Sequence, residues 1–347
     1  MLHPMTQTAA ATDTRPKTAV LQQRGGIGDF IWQIPYFRAA AAQSRDGKVS
    51  IITRSTTRAK DLVGHESWVE EIIHYDFSRR SFDKEPHPHA GLRGMWRMAR
   101  EMRRRRFDRI LIFTDRPARA LLAWIARIPR RAGYGFRLSQ RLFLNEAPYI
   151  KRHDKPTFEA YWEATDFAIA RHLVTAPIVP KVTVQPAIKE QMRARLAGLP
   201  APWCALVIGS TTEDKQWGAK NFSELAAALL AQGKSVLILG GERESALARE
   251  ILQLLPAEAI SRTRDLTSLP LPETAAALSL SQMCIGNDTG VTHLAAACDC
   301  PAWMLIGSKN RFDHDPQMLR MITATGIKNL PPSEVLARIA VARAASP

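Results

Sequence analysis

Long apolar runs are missing from this 347-residue sequence. A helix needs roughly 18 to 20 consecutive apolar residues to span a bilayer, and no run approaches that length. Residues 1–17 are polar and threonine-rich, and they lack the apolar centre of a signal peptide. The sequence is therefore expected to encode a soluble cytoplasmic protein whose residues 1–17 form a disordered tail.

Cysteine is scarce and is not spaced for disulfides or zinc. No two cysteines show the C-x-x-C spacing, and all lie in apolar or helical surroundings, so buried free thiols are expected. They are Cys204, Cys284, Cys298 and Cys300. The sequence also lacks a D-x-D motif with acidic neighbours, the pattern that would hold a metal ion. Its nearest case, Asp313-His314-Asp315, is interpreted as a surface loop, and no metal site is predicted.

Positive charge is abundant and unevenly distributed. The formal net charge is +15; residues 1–173 contain 31 Lys and Arg against 18 Asp and Glu, and residues 174–347 contain 17 against 15. A basic half attracts nucleic acid, an anionic membrane surface or a phosphorylated ligand. Neither an aromatic RNA-binding motif nor a helix-turn-helix accompanies the charge, so nucleic acid is not the expected partner. The four arginines at 103–106 are equally consistent with a solvated helix face.

Strands and helices alternate along the first half of the chain. Apolar strands are predicted at residues 18–22, 48–53, 69–75 and 109–113. Helices are predicted at residues 30–43, 58–64, 92–105, 118–128 and 156–173, and residues 129–134 are interpreted as a basic turn. Such alternation is typical of a doubly wound α/β domain with a parallel sheet, which is assigned to residues 18–173.

A proline-spaced, extended segment at residues 174–186 is interpreted as a linker, after which the α/β pattern starts again. The second α/β domain is assigned to residues 187–331. It is followed by residues 332–347, whose helix is expected to pack back toward the first domain. Two such domains in tandem imply a cleft between them, lined by the loops that follow the carboxyl ends of the strands.

The segment Gly286-Asn-Asp-Thr-Gly-Val-Thr-His293 carries the most chemistry in the sequence. It follows an apolar strand and begins an alanine-rich helix. A helix that begins here presents unpaired N–H groups and a partial positive charge to the turn, which is how α/β proteins commonly bind phosphate. In isolation the same turn is more typical of an ordinary capped helix, so the accompanying loops decide between the two interpretations.

Three further loops belong to the expected cleft. The first, Arg24-Gly-Gly-Ile-Gly-Asp29, departs from the G-x-G-x-x-G dinucleotide fingerprint and places a carboxylate at a helix start, which argues against NAD. Asp29 is either a functional carboxylate or only a helix cap. The loop at 210–217 offers hydroxyls and Lys215 to an anion, and Gly240-Gly-Glu242 offers a carboxylate to ribose; a polar surface loop and a helix cap are the alternatives.

In order and spacing these segments resemble glycosyltransferase family 9, the bacterial heptosyltransferases of the lipopolysaccharide inner core. The resemblance extends from residue 18 to residue 338 and is most specific in residues 286–297. The other matching pieces are Gly28-Asp29, Asp115 with Arg130-Arg-Ala-Gly-Tyr134, Lys215-Gln-Trp217, Leu239-Gly-Gly-Glu242 and Asp265-Leu-Thr267. The resemblance implies an α/β fold of GT-B architecture, in which two Rossmann-like doubly wound parallel-sheet domains face each other across a cleft.

The resemblance also implies an activity, namely inverting, metal-independent transfer of heptose from ADP-heptose, with no cofactor. Asp29 would be the general base that deprotonates the acceptor hydroxyl. Lys215 would neutralise the donor diphosphate, Glu242 would contact the ribose, and Asp288 would hold the sugar hydroxyls. The amides of Thr289 and Gly290 and the side chain of His293 would meet the diphosphate, with a packed helix histidine as the alternative for His293.

The acceptor implied by the resemblance is an anionic lipopolysaccharide core of the Kdo-lipid A type, bound by the basic loops of the first domain. Arg24, Asp115 and Arg119 are the expected contacts, and the enzyme would meet the cytoplasmic face of the inner membrane peripherally.

Two departures from the family pattern leave other substrates open. Gly307-Ser-Lys-Asn-Arg-Phe-Asp-His-Asp-Pro316 replaces a common Gly-Pro-Thr-Asp-Pro turn, and Arg116-Pro117 replaces glutamine and glycine. The alternatives are a family 9 transferase with another nucleotide sugar or acceptor, and a non-catalytic protein that binds anions or nucleic acid.

Overall fold

Two parallel sheets organise the protein, a computed structural model of which describes residues 13–77, 87–153, 159–307 and 311–344. The strands of the first sheet are β1 (Thr18–Leu21), β2 (Val49–Thr53), β3 (Val69–His74), β4 (Arg109–Ile112) and β5 (Arg130–Gly133). Those of the second are β6 (Trp203–Val207), β7 (Ser235–Leu239), β8 (Thr263–Asp265), β9 (Met283–Asn287), β10 (Ala302–Ile306) and β11 (Leu319–Thr323).

Each sheet has the strand order of a doubly wound fold. The orders are β3-β2-β1-β4-β5 and β11-β10-β9-β6-β7-β8. Every pairing is parallel. In both sheets the first strand in sequence lies centrally and the order reverses beside it. This reversal opens a crevice at the carboxyl ends of β1 and β6, where ligands bind in such folds.

Helices cover both faces of each sheet. The first domain contains α1 (Ile27–Ile31), α2 (Ile34–Ala42), α3 (Ala59–Val63), α4 (Gly91–Arg104), α5 (Pro117–Ile125), α6 (Leu138–Arg141) and α7 (Glu159–Ala170). The second contains α8 (Pro186–Arg195), α9 (Ala219–Ala231), α10 (Ser245–Leu254), α11 (Ala257–Ile260), α12 (Leu271–Leu280), α13 (Gly290–Ala297) and α14 (Pro332–Ala344). Within the described ranges, no helix combines the length and apolar character needed to cross a bilayer.

The strands are apolar because both sheet faces are buried. In β1, Val20 packs with α2 and α7, whereas its neighbours Ala19 and Leu21 pack with α4 and α5 on the opposite face. Parallel strands covered on both sides are expected to be continuously hydrophobic. The core that contains Val20 also includes Leu237 and Leu294 of the second domain, so the two domains share a continuous apolar contact.

Edge strands and one helix break account for the differences from the predicted elements. The predicted helix at 30–43 is two helices, because Pro35 has no N–H to continue the first and instead lies in the first turn of α2. The residues interpreted as a basic turn include the edge strand β5, whose first residue Arg130 is exposed. Edge strands β8 and β11 were not predicted, since both mix polar and apolar residues and β8 has three residues only.

The chain ends differ from expectation. Residues 1–12 and 345–347 lie outside the described residues. Within the expected tail, Lys17 N donates to Asp108 Oδ2 at 2.8 Å and Arg15 Nη1 donates to the Ala42 carbonyl at 2.7 Å, so residues 13–17 are attached to the first domain. Helix α14 does not pack back on that domain as expected. Val335 and Ile339 enter the core of the second domain beside α9, because they form the apolar side of the helix.

Candidate active site

Asp29 lies in the first turn of α1, directly after the glycine-rich loop that follows β1. Gly26 N donates to Asp29 Oδ2 at 3.1 Å, and Arg24 Nη1 lies 3.9 Å from Asp29 Oδ1. The carboxylate therefore serves as the helix cap that the sequence allowed. Its side chain keeps 20% of its surface exposed and lines a cavity, so the cap does not remove Asp29 from ligand contact.

The start of α13 is held in place by buried polar groups. Asn287 Nδ2 donates to the Ile208 carbonyl at 2.8 Å, and Thr292 Oγ1 donates to the Asn287 carbonyl at 2.8 Å. Thr289 is the extended residue before the helix, with φ −145° and ψ 160°. The first amides of a helix have no intrahelical acceptor. Because these hydrogen bonds fix the turn, the first amides of α13 lie at the cavity.

Lys215 and Asp288 form an ion pair on the second-domain side. Lys215 Nζ lies 2.7 Å from Asp288 Oδ2, and the side chains are 31% and 8% exposed. Lys215 comes from the loop after β6, and Asp288 follows β9, the neighbour of β6 in the sheet. The two loops meet because parallel strands place their carboxyl ends at one edge.

One cavity of about 350 Å³ brings six of the expected site residues together. Asp29 lines it from the first domain, and the second domain contributes Lys215, Asp288, Thr289, Gly290 and His293. The walls are close at two glycines. A Cβ on Gly28 would lie 2.9 Å from His293 Cδ2, and a Cβ on Gly290 would lie 2.9 Å from Gly28 N. Glycine is required at this contact because α1 and α13 touch through their backbones.

His293 is both a packed histidine and a lining residue. Its ring lies edge-on to Trp32 at 5.0 Å and to Phe312 at 4.8 Å between centroids. Burial, with a smaller effect from the Lys215 charge, lowers the pKa of His293 to about 3. The imidazole is therefore neutral near pH 7 and cannot supply a positive charge. Its Nδ1 is buried without a hydrogen-bond partner in the described ranges.

The segment interpreted as a surface loop at Asp313-His314-Asp315 is in fact buried. His314 and Asp315 are 8% and 4% exposed, and Trp162 Nε1 donates to Asp313 Oδ1 at 2.8 Å. The reason is aromatic packing, since His314 lies against Trp32, His293 and Tyr161. Residues 308–310 of this loop lie outside the described residues. Across the described ranges, no group of His, Cys, Asp and Glu is arranged to hold a metal ion.

Glu242 and Arg119, two of the expected site residues, line neither this cavity nor the second cavity described below. Glu242 is exposed in the turn after β7, where Glu244 accepts from Gly241 N at 2.8 Å and caps the turn instead. Arg119 is buried, and its guanidinium is already engaged. It donates to Gln23 Oε1 at 3.0 Å and to the Tyr75 hydroxyl at 3.1 Å, and it lies 3.7 Å from the Phe77 ring centre. Arg119 is therefore a structural arginine, because aromatic rings cover it.

A second, polar cavity of about 220 Å³ contains the other two expected acceptor residues, Arg24 and Asp115. Arg24 connects it with the first cavity through its contact with Asp29. Asp115 lies within 4 Å of the side chains of Arg116, Arg137 and Arg152. Carboxylates, amides and two guanidinium groups line this small cavity, and such groups can form hydrogen bonds with the hydroxyls of a sugar.

Sequence reasoning missed several side chains that line these cavities, among them Trp32, Phe312, Gln33 and Glu163. Trp32 and Phe312 form the apolar part of the first, and Gln33 and Glu163 line the second. Trp32 and Gln33 follow Asp29 within about one helical turn, so their spacing in the sequence could have indicated that they lie near the site. Phe312 and Glu163 had no such signal, because only the folded chain brings α7 and the loop after β10 to the cleft.

Comparisons with known proteins agree with this architecture. Lipopolysaccharide heptosyltransferase 2 of Salmonella typhimurium is 24% identical over 240 residues, which cover 65% of this chain and 69% of the relative. The structure of E. coli ADP-heptose lps heptosyltransferase II has a TM-score of 0.73 at 20% identity, covering 94% of this chain and 98% of that one. E. coli heptosyltransferase WaaC with ADP-2-deoxy-2-fluoro heptose has a TM-score of 0.68 at 18% identity, with 94% and 99% covered.

These structural likenesses confirm the two-domain GT-B fold that the sequence implied. The family assignment has its own basis, since the model of glycosyltransferase family 9 (heptosyltransferase) matches residues 95–320, well over half of the chain. The protein therefore belongs to glycosyltransferase family 9 and is a sugar-transferring enzyme of the heptosyltransferase family.

Proposed function

We propose that this enzyme transfers heptose from ADP-heptose to the lipopolysaccharide inner core, with inversion and without a metal ion. The observation that carries the proposal is the single cavity lined by Asp29 on one domain and by Lys215, Asp288 and the start of α13 on the other. A base and a set of diphosphate-binding groups thus face the same space. The relatives named as heptosyltransferases support the donor and the acceptor class.

Asp29 would act on the acceptor. Its carboxylate takes the proton of the attacking hydroxyl, whose oxygen forms the new bond to the anomeric carbon while the bond to the ADP oxygen breaks on the opposite face. A base in hydrogen-bond reach typically contributes about 10² to 10⁴ in rate. Because the hydroxyl attacks on the face opposite the departing ADP, this single displacement inverts the anomeric configuration.

Lys215 and the first amides of α13 would stabilise the negative charge that develops on departing ADP. Fixed donors and a cation aimed at a developing charge are a strong catalytic contribution, and here they need no metal ion. Before the donor binds, Asp288 holds Lys215 at 2.7 Å. On binding, the diphosphate would take over Lys215, and Asp288 would accept hydrogen bonds from the sugar hydroxyls. Neutral His293 would donate one hydrogen bond to the diphosphate.

The remaining contacts follow from neighbouring loops. Glu242 would bind the ribose, because its turn follows β7, which pairs directly with β6 and so lies beside the Lys215 loop. Arg24 and Asp115 would bind the acceptor in the polar cavity, which Arg24 connects to Asp29. Because the proposed acceptor is an anionic lipid, the enzyme would work peripherally at the cytoplasmic face of the inner membrane.

The test is incubation of the protein with ADP-heptose and heptose-deficient lipopolysaccharide in the presence of a chelator. Mass spectrometry should show an acceptor heavier by one heptose, with stoichiometric release of ADP. Parallel reactions with other nucleotide sugars identify the donor: transfer from one of these alone would overturn ADP-heptose as donor. Loss of activity in chelator that a divalent cation restores would overturn the metal-independent mechanism.

A further inference from the structure

Three helices form one outer layer of the first domain. Met98, Ala99 and Met102 of α4 share a core cluster with Leu122 and Ala123 of α5, on one side of the first sheet. Helix α4 contacts α5, and α5 contacts α6. The solvent side of these helices is therefore one continuous surface, which we call the α4–α6 face.

Several large apolar side chains are exposed on the α4–α6 face. Half of the ten large apolar side chains that are exposed among the described residues belong to it, namely Leu92, Trp96, Trp124, Leu138 and Leu142. Single exposed apolar residues are normal in a soluble protein, but neighbouring ones such as Leu92 and Trp96 indicate an interaction surface. Leu92 and Trp96 are 75% and 58% exposed on adjacent turns at the start of α4.

Arginines accompany Trp96 on the exposed side of α4. Arg93, Arg97, Arg100 and Arg104 recur every three or four residues and line one shallow groove with Trp96. The acid within α4 already has a partner outside the groove arginines, because Glu101 lies 3.2 Å from Arg105, which also pairs with Glu71 at 2.7 Å. In the described ranges none of the four groove arginines forms an ion pair, so their charge is available to a partner.

We propose that the α4–α6 face docks on the surface of a bilayer that contains anionic phospholipid. Arginines would lie among the headgroups, and Trp96 and Leu92 would enter the boundary with the acyl chains. Amphipathic helices with basic and aromatic residues bind in this way, and Trp favours the interface. A nucleic acid would satisfy the arginines yet leave the apolar side chains in water. The inference rests on the proposed function only in that the acceptor is a membrane lipid.

Vesicle sedimentation with the full-length protein tests the docking. We expect binding to vesicles of phosphatidylcholine with phosphatidylglycerol, weak binding to phosphatidylcholine alone, and loss of binding as salt rises. Arg93→Gln and Arg100→Gln should each lower the partition coefficient roughly fivefold, since a basic residue near an anionic surface contributes about a factor of five.

The apolar contribution has a matched control. Leu92→Ser with Trp96→Ser should lower the partition coefficient at least about tenfold, because two apolar side chains no longer leave water. Leu254→Ser with Val341→Ser removes side chains that are 54% and 71% exposed on the second domain, and it should leave binding unchanged. The docking would be overturned if the two double variants lost vesicle binding equally, or if the protein bound both vesicle types equally. Tighter binding to duplex DNA than to anionic vesicles would also overturn it.

Activity separates this inference from the proposed function. Heptose transfer to a water-soluble, delipidated acceptor should be the same for the wild type and for the Leu92→Ser, Trp96→Ser variant. Normal transfer without vesicle binding would overturn the docking alone. Vesicle binding without any transfer would overturn the proposed function alone.

Discussion

Lys215 Nζ lies 2.7 Å from Asp288 Oδ2, so the cation proposed for the diphosphate is held by the carboxylate proposed for the donor sugar. Asp288 is nearly buried, and a buried carboxylate without a partner is costly. The pair therefore leaves neither charge unpaired and keeps both groups positioned for the donor. Each partner then has a structural and a functional consequence that can be measured separately.

Replacing Lys215 should reveal both consequences. Lys215→Met leaves Asp288 without its partner, so the free energy of unfolding should fall by about 1 to 3 kcal/mol in urea titrations. The dissociation constant for ADP, measured by calorimetry, should rise at least about tenfold, because a charge-assisted contact contributes about 1.5 to 3 kcal/mol. The exposed Lys220→Met on α9 is the matched control and should change neither value. Unchanged ADP affinity in Lys215→Met would remove this lysine from the donor site.

The glycine contact between the domains predicts a defect in turnover. Gly28→Ala places a Cβ 2.9 Å from His293 Cδ2, and overpacking of this kind costs about 1 to 3 kcal/mol. Because α1 can retreat from α13, the domains should separate, and kcat should fall roughly tenfold with little change in ADP affinity. Gly198→Ala adds the same methyl group where no atom lies within 4 Å, and it should be neutral. Turnover that is equal in the two variants would show that this contact does not matter for catalysis.

The sequence was sufficient to predict the polar turn at the start of α13. The types and spacing of Asp288, Thr289 and Gly290 predict a polar turn at a helix start, and such local chemistry is visible without a fold. Lys215 and Asp29 required the family resemblance to select among polar loops. The central strand β1 was predicted because burial on both faces leaves it almost entirely apolar.

Other features depend on distant contacts and could not be predicted. Arg119 becomes structural because Tyr75 and Phe77, far away in sequence, cover its guanidinium. Phe312 and His314 become buried only when Trp32 of the first domain packs against them. An aromatic residue in a polar loop has the same local pattern whether it enters solvent, a core or a cavity wall.

Two of the buried histidines, His293 and His314, predict acid sensitivity. Burial lowers the pKa of both His293 and His314 from 6.5 to about 3. Between these values the unfolded chain binds more protons than the folded one, so stability is lost as the pH falls below about 6.5. Each histidine adds up to about 1.4 kcal/mol per pH unit to this loss.

Urea titrations at about pH 6 and about pH 5 measure this slope. His314→Phe should make the slope shallower by up to about 1.4 kcal/mol per pH unit, because one buried proton acceptor is removed. His65→Phe makes the same change at an exposed position and should keep the wild-type slope. Identical slopes in the two variants would show that His314 is readily protonated in the folded protein.

Asp29→Asn decides between the cap and the catalytic base. Asp29 Oδ2 accepts from Gly26 N at 3.1 Å, and the asparagine carbonyl oxygen can accept the same hydrogen bond, so α1 should keep its start. Asparagine cannot take a proton from the acceptor hydroxyl. The variant should therefore unfold at the wild-type urea concentration and bind ADP normally, yet lose at least about a hundredfold in kcat. Asp61→Asn, in the first turn of α3 and outside the cavity, is the control for an aspartate in the same helical position. Turnover of Asp29→Asn within a few-fold of the wild type would leave Asp29 as a helix cap alone and assign the proton to another group.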